Sequence, residues 1–434
     1  MQHKKLNKEN VLEILPLTTM QKSMLFLHMM MPDSKYYLEQ QVYTIHGVCE
    51  ENVVIDAWKY VVMQNASLRT LFRWVGLENP IQIILGKYQV PLHFQNVTHL
   101  SYTDRESYLS AVCQKEWSDK LDIAEQPLKV LILKVEENVF NMILTYHHII
   151  LDGWSNAILM QELCEALKIH VSGRMLKLRQ KVEYKEYIKW VHQIDKEPAA
   201  RFWMQYLKNY KNKSIEASYE TMKESSPCYY EYPIKENLGE SIKEYARKNK
   251  VTPASVFYAA WGMILSEIEK KQDILFGITV SGRPPELAGV EETVGLFIHT
   301  VPIRFSLVKE KSIAQLVKEI NNDLIQIQKY QYIPFNKTFS QLAQVEGRLF
   351  DSVVTIQNYP VDDALARSNE TVSMNLIKSR YVTDLKITLG IKLFSGHHQI
   401  DFCYNSQLVD SEYIRKTAER YRRCIKYITK ERKS

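Results

Sequence analysis

Tyr146-His147-His148-Ile149-Ile150-Leu151-Asp152-Gly153-Trp154-Ser155 lies where a run with the character of a buried strand meets a run with the period of a helix. Upstream, Val139 to Tyr146 (VFNMILTY) is mostly β-branched, aromatic or apolar and about one strand long. Downstream of Asp152-Gly153, residues Ile158, Leu159, Leu163, Ala166 and Leu167 recur at helical spacing, with Asp152 or Ser155 available as the N-cap. Adjacent strand residues point to opposite faces, so His147 and His148 can enter one cavity only if the strand has already ended. One of the two is therefore the candidate for chemistry. A histidine at a strand end beside a helix start suits acid–base work, because the strand fixes the side chain while the loop borders a cavity. Two plainer uses of these residues remain open. Asp152 can simply cap the helix, and two histidines with a carboxylate can form an open-sided metal triad, although neighbouring strand histidines diverge and make that arrangement a poor one. A second pair, His397-His398-Gln399-Ile400-Asp401, has a shorter spacing and no glycine turn; it falls beside the alternating run Gln399 to Tyr404 and is expected to be ordinary strand.

Composition narrows the classes. A chain of 434 residues is too long for one simple core and predicts two domains or lobes, and its 45% hydrophobic content is enough to bury them. No run approaches ~18 consecutive apolar residues, and the opening MQHKKLNKEN is charged, so neither a membrane span nor an export signal is expected and the location is read as cytoplasmic. Cys49, Cys113, Cys164, Cys228, Cys403 and Cys424 form no C-x-x-C pair, which argues against zinc and against a disulfide framework. The net charge of +6 comes from 56 basic and 50 acidic residues, concentrated partly at Lys4-Lys5 and in the closing cluster from Arg420 to Lys433. With no aromatic-interleaved basic groove, this predicts solvated helix faces and no nucleic-acid partner, while a mildly basic surface suits an acidic protein partner.

The stretch HHIILDGWS resembles the signature H-H-x-x-x-D-G of nonribosomal peptide synthetase condensation domains, which belong with the chloramphenicol acetyltransferase-like acyltransferases. Companion motifs follow in family order. Leu15 to Gln41 (LPLTTMQKSMLFLHMMMPDSKYYLEQQ) resembles the first motif and is close to domains that join two L-configured residues; its methionines at helical spacing read as a packing helix, with a strand from Val42 to His46. Asn65 to Phe72 resembles the second motif, R-H-x-x-L-R-T-x-F, keeping Leu68, Arg69, Thr70 and Phe72 but carrying Gln64 and Asn65 near the Arg-His positions. Tyr184 to Trp190 is similar to Y-x-D-Y-x-x-W, with Glu186 for the aspartate, on a helix expected to continue to Leu207. A strand Asp273 to Val280 leads into Ser281-Gly282-Arg283-Pro284, which shares the family course S-G-R-P-x-x-x-x-G-V-E-x-x-V-G-x-F, with His299 at a position where the family usually has Asn. Tyr330 to Phe335 and Arg348 to Ser352 resemble the sixth and seventh motifs, and Ile356 to Ser373 stands where the family has a latch crossing between lobes.

The resemblance implies an α/β fold of two chloramphenicol acetyltransferase-like lobes, a V-shaped pseudo-dimer with a central tunnel. The N-terminal lobe would span 1–178 and carry HHIILDG; the C-terminal lobe, with crossover latch and floor loop, would span 179–434. It implies amide formation between a donor acyl or peptidyl thioester and an acceptor aminoacyl thioester. His148 would be the catalytic residue, supported by His147, Asp152, Gly153, Arg283 and Arg69. Arg283 matches the arginine paired with the motif aspartate, and an aspartate held this way fixes its loop, so Asp152 is read as structural and not as the base. Metal and bound cofactor are not expected; phosphopantetheine arms of donor and acceptor peptidyl carrier proteins would bring the substrates, beside an adenylation domain of the same assembly line, to a monomeric condensation unit. Three rivals differ in kind: a same-fold acyltransferase using a soluble amine or coenzyme A thioester, a heterocyclisation or epimerisation relative (disfavoured by the intact histidines and by the match of Leu15 to Gln41), and a non-catalytic carrier-docking module.

Overall fold

The structure, a computed structural model, describes residues 6–48, 50–210, 227–234, 236–308, 310–332, 349–357, 371–393 and 398–430. Cys49, most of the polar stretch from Asn209 to Pro227, His397, and parts of the stretches resembling the sixth and seventh motifs and the latch lie outside the described residues. The chain forms two compact units. The first comprises Met1–Ile194, Arg283–Phe297 and Tyr359–Val382; the second comprises Asp195–Gly282, Ile298–Asn358 and Thr383–Ser434.

The first unit is built on a five-stranded sheet in the order β12 (Ser373–Tyr381), β2 (Leu38–His46), β7 (Val139–His147), β6 (Leu128–Glu136) and β5 (Leu92–Asn96). All its pairings are antiparallel except β5 with β6. The central β7 is buried along nearly its whole length, as its unbroken apolar run requires of a strand covered on both faces. On one face Leu109 and Cys113 of α3 (Tyr102–Ser118) pack against Val42, Leu131, Leu133 and Ile143. Burying a side chain such as Leu109 contributes about 2 kcal/mol. A smaller sheet joins β1 (Val11–Pro16), β4 (Ile81–Leu85) and β3 (Thr70–Arg73).

Four helices matter to the site. α1 (Thr19–Met30) starts at a capping box in which Thr18 and Gln21 satisfy each other's backbone N–H groups, and it buries Met24, Leu25 and Leu27. α2 (Glu51–Gln64) packs on α4 (Gly153–Val171). Asp152 is the N-cap of α4, its carboxylate accepting from the Ser155 N–H. α5 (Tyr184–Gln193) buries Tyr184, Tyr187, Ile188 and Val191. The expected single helix to Leu207 is two: α5 stops at Gln193, and α6 (Glu197–Tyr206) restarts after Asp195, whose side chain accepts from the Glu197 N–H, with Pro198 in its first turn.

The second unit holds a six-stranded sheet in the order β10 (His299–Ser306), β9 (Asp273–Val280), β11 (Ser352–Gln357), β13 (Ile387–Leu393), β14 (His398–Asn405) and β8 (Pro227–Ile234). Its core includes α7 (Glu236–Asn249), the apolar α8 (Pro253–Glu269), α9 (Ile313–Tyr330) and the basic closing helix α10 (Ser411–Lys430). His398 of the second His pair opens β14, as expected of plain strand, and Asp401 there is ion-paired with Lys392 at 2.5 Å. Much of the basic charge of α10 faces carboxylates on its own surface: Arg415 meets Glu412 and Glu419, and Arg423 meets Glu419.

Candidate active site

The site is assembled within the first unit, at the end of β7. The strand stops at His147, and His148 begins the turn. That break resolves the conflict posed by two adjacent histidines. His147 points inward and is 3% exposed; its Nδ1 accepts from the Ile149 N–H at 3.1 Å, and its ring stands edge-on to His28 of α1 at 5.7 Å. Burial holds the His147 imidazole well below its ordinary pKa, and its neighbours His28 and His148 push the same way. His28 is lowered as well, again chiefly by burial.

His148 is placed differently. Its side chain keeps 16% exposure, and its backbone N–H donates to the Tyr37 carbonyl at 2.8 Å. Tyr37 itself has φ +63°, a sparsely populated conformation for a residue with a side chain, and is held on its other side by donating to the Val382 carbonyl at 2.8 Å. Nε2 of His148 lies 3.2 Å from Oε1 of Glu39, and the Tyr146 hydroxyl donates to Oε2 of the same carboxylate. Nδ1 of His148 is buried with no hydrogen-bond partner among the described residues.

Asp152 is sealed from solvent at 0% exposure, and its carboxylate is held by the frame. Oδ1 accepts from the Ser155 N–H at 2.8 Å, Oδ2 accepts from the Phe297 N–H at 2.9 Å, and Arg283 Nη2 lies 3.6 Å from Oδ1. Ser155 ties the same corner: its hydroxyl donates to the Gly295 carbonyl at 2.6 Å and accepts from Arg283 Nη2 at 2.8 Å and from the Gly295 N–H at 3.0 Å. Arg283 also donates to the carbonyls of Val290 and Thr293 and lies over the Phe297 ring at 4.0 Å. Burial pulls the Arg283 guanidinium down from its ordinary value, and Asp152 opposes the shift. The strip from Arg283 to Phe297 is thus bolted to the start of α4. From its other side, Tyr184 of α5 donates to the Leu296 carbonyl at 2.5 Å, while Tyr184 and Tyr187 pack against Phe297.

His147, His148, Asp152, Gly153 and Arg283 therefore stand together. Gly153 is the first residue of α4, and its φ is not in the left-handed region, so the turn does not rest on the conformational freedom of glycine. Arg69 is placed elsewhere: it is buried and donates to the carbonyls of Val62, Met63 and Leu85, closing the last turn of α2 onto β4. His299 is buried in the second unit, edge-on to Tyr332, and burial pushes its pKa down to about 4. Among the described residues no group of three His, Cys, Asp or Glu side chains could hold a metal ion.

Glu39, Tyr37, Tyr146 and Ser155 lie inside the quoted stretches, yet motif reading places none of them among the site residues. Glu39 is hidden because the sequence places the second strand at Val42, whereas β2 begins at Leu38 and pairs Glu39 with Tyr146. The available signal is a lone acid in the otherwise uncharged run Tyr36 to Tyr43.

A solvent-touched imidazole at the end of a central strand, backed by a sealed aspartate–arginine corner at a helix start, defines an α/β acyltransferase of the H-H-x-x-x-D-G class. The chain belongs to the condensation domain family, whose profile matches residues 11–434, and with that family comes amide-bond formation by acyl transfer. Its relatives include surfactin synthase subunit 2 of Bacillus subtilis (strain 168), 26% identical over 97% of this chain and 12% of the relative. Gramicidin S synthase 2 of Brevibacillus brevis is 27% identical over 94% of this chain and 9% of its own length. The chain thus spans about a tenth of these multidomain relatives. Among solved structures, the starter condensation domain of rhizomide synthetase matches with a TM-score of 0.80 at 18% identity, covering 96% of this chain and 95% of that one. The first condensation domain of the calcium-dependent antibiotic synthetase matches with a TM-score of 0.79 at 16% identity, covering 96% of each chain. At such identities these structures establish the shared α/β fold.

Proposed function

We propose that this chain joins a donor acyl or peptidyl thioester to the amine of an acceptor aminoacyl thioester, both carried on phosphopantetheine arms of peptidyl carrier proteins, with His148 as the residue that meets the amine. In this reading the amine nitrogen attacks the donor carbonyl carbon, the C–S bond breaks, and the amine's proton passes through the imidazole to the departing thiolate. An imidazole can take up and release a proton near neutral pH, and positioned proton transfer contributes about 10²–10⁴-fold. Gly153, at the positive end of α4, is proposed to offer its N–H to the developing oxyanion. Asp152 and Arg283 hold the frame, and an adenylation domain of the same assembly loads the carriers.

The observation that carries this reading is the partition at the end of β7: His147 and Asp152 are sealed, whereas His148, one residue past the strand, keeps solvent access. Intact-protein mass spectrometry of donor and acceptor carriers, loaded with a panel of L-aminoacyl groups, tests it. His148→Ala should abolish transfer of the donor group to the acceptor carrier while the melting temperature is kept. Undiminished product from the variant refutes the role, and no product from the wild type with any pair favours a docking module.

A further inference from the structure

A substrate that meets His148 meets Glu39 as well. Nδ1 of the ring is sealed, so Nε2 is the ring nitrogen left for a bound group, and it lies 3.2 Å from Oε1 of Glu39. Any atom within hydrogen-bond distance of Nε2 therefore stands within about 6 Å of that carboxylate oxygen. Glu39 keeps 14% exposure and His148 16%, so the pair sits on the same wet edge of an otherwise sealed corner. Asp152, by contrast, is fully buried, with both oxygens taken by backbone N–H groups.

The register of the sheet holds this carboxylate in place. Glu39 of β2 stands opposite Tyr146 of β7, and the Tyr146 hydroxyl donates to Oε2, which leaves Oε1 turned to the ring. A carboxylate oxygen is only an acceptor, and an imidazole nitrogen that is to take up a proton is an acceptor too. Two acceptors 3.2 Å apart repel each other unless a donor is shared between them. The ring can supply that donor only by giving up its place as the base, so in the working site the donor comes with the substrate. An α-amino group titrates at ~8 and is mostly cationic at neutral pH, so it brings both the N–H donors and the positive charge that a partly buried carboxylate attracts. A hydroxyl of the same shape brings one donor and no charge.

We propose that Glu39 is the anchor for the acceptor's α-ammonium: Oε1 receives it by charge and hydrogen bond beside Nε2 of His148, and so selects a charged amine over a neutral nucleophile. This rests on the reading of His148 as the residue that meets the amine. The atoms balance. The ammonium brings three N–H protons, of which one passes to Nε2 and leaves to solvent at the wet edge, freeing the lone pair that attacks the donor carbonyl carbon. As the C–N bond forms and the C–S bond breaks, a second proton moves to the departing thiolate, and the third stays as the amide N–H. Glu39 faces each positive charge in turn, first the ammonium and then the imidazolium, and itself exchanges no proton.

The test reads affinity and rate separately. The probes are L-aminoacyl-aminopantetheine amides, stable against transfer, and the matching α-hydroxyacyl amides in which a hydroxyl replaces the ammonium. A panel of side chains is titrated into the whole chain by isothermal calorimetry, and the side chain that the wild type binds most tightly is carried through Glu39→Gln, Tyr146→Phe and His148→Ala. The wild type should prefer the ammonium probe about 10- to 100-fold. Glu39→Gln keeps the shape and an acceptor for Tyr146; it should weaken the ammonium probe by about that factor and leave the hydroxyl probe within about 2-fold. Tyr146→Phe, which releases Oε2, should cost about 3-fold on the ammonium probe alone. In single-turnover transfer to the corresponding aminoacyl-pantetheine thioester, the loss in Glu39→Gln should fall mainly on the acceptor concentration needed for half-maximal rate. Equal losses on both probes mark a merely structural role and overturn the proposal. So does a preference that survives Glu39→Gln, or a wild type that binds the two probes alike or binds neither. Full transfer by His148→Ala removes the reading of His148 itself, and that failure shows in rates, whereas failure of the Glu39 anchor shows in affinities.

Discussion

Asp152→Asn isolates what the motif aspartate does, because it exchanges one carboxylate oxygen for an NH₂ and keeps the shape. Each oxygen of Asp152 accepts a backbone N–H, Ser155 on Oδ1 and Phe297 on Oδ2, and Oδ1 also faces Arg283. An asparagine has one oxygen, so in either orientation its NH₂ meets an N–H donor and leaves it unsatisfied, at about 1–3 kcal/mol. Arg283 also loses its buried counter-charge. Breaking a buried pair typically costs ~3–5 kcal/mol, and the lower end applies here because Arg283 keeps the Val290 and Thr293 carbonyls and the Ser155 hydroxyl. Together the expected loss is about 4–6 kcal/mol, which at ~2–4 °C per kcal/mol lowers the melting temperature by about 8–24 °C. Scanning calorimetry beside single-turnover transfer at 15 °C, where the variant remains folded, separates the roles: a large fall in melting temperature with much of the rate retained is expected. A melting temperature within about 2 °C of wild type, with transfer abolished, would show that Asp152 works on the reacting atoms and would refute the structural assignment.

Two further outcomes follow from buried groups. His299 is held neutral with a pKa of about 4, below the ordinary 6.5, so between these values the unfolded chain binds the proton that the folded chain refuses. Its contribution is intact above pH 6.5 and is lost as the pH falls, by about 2 kcal/mol at pH 5; His299→Asn, which carries no titrating ring, should narrow the gap in melting temperature between pH 7.5 and pH 5, and an unchanged gap refutes the assignment. At the bolted strip, a Cβ on Gly295 would lie 2.1 Å from Tyr184 Cδ2, and that ring is pinned by Phe297 and by its bond to Leu296. Gly295→Ala should therefore destabilise by about 3 kcal/mol, well beyond the ~1 kcal/mol expected of Tyr184→Phe, and equal shifts by calorimetry would sink the argument.

Which parts of the molecule could be read beforehand depended on whether the governing signal was local. The strand–turn–helix at 139–171 declares itself through an unbroken apolar run, a capping acid and a helical period, all within one window, and β9 from Asp273 to Val280 is legible from its own apolar run. The break between α5 and α6 escaped because Tyr187, Trp190, Val191 and Ile194 keep a helical spacing right up to it, while the Asp195 turn and Pro198 that interrupt the helix are brief. The Asp152–Arg283 corner has no local signal at all. It came from family resemblance, and only the structure shows that Ser155 and the Gly295 backbone carry as much of the joint as the ion pair does.

The two carboxylates near His148 show why a motif can find one and miss the other. Asp152 is fixed relative to the histidines by a short, rigid turn, so a spacing rule captures it, and burial with two backbone donors and an arginine leaves its oxygens no freedom to serve a substrate. Glu39 reaches the same imidazole from a different strand, so its relation to His148 is a matter of sheet register, which a one-residue slip would send to the opposite face. A spacing rule cannot carry that information across a hundred residues of intervening chain. The acid that the signature contains is the one enclosed in the frame, and the acid that touches the ring at its solvent edge is one the signature leaves out. Functional side chains set by register are thus to be sought by asking which residue of the neighbouring strand stands opposite the motif.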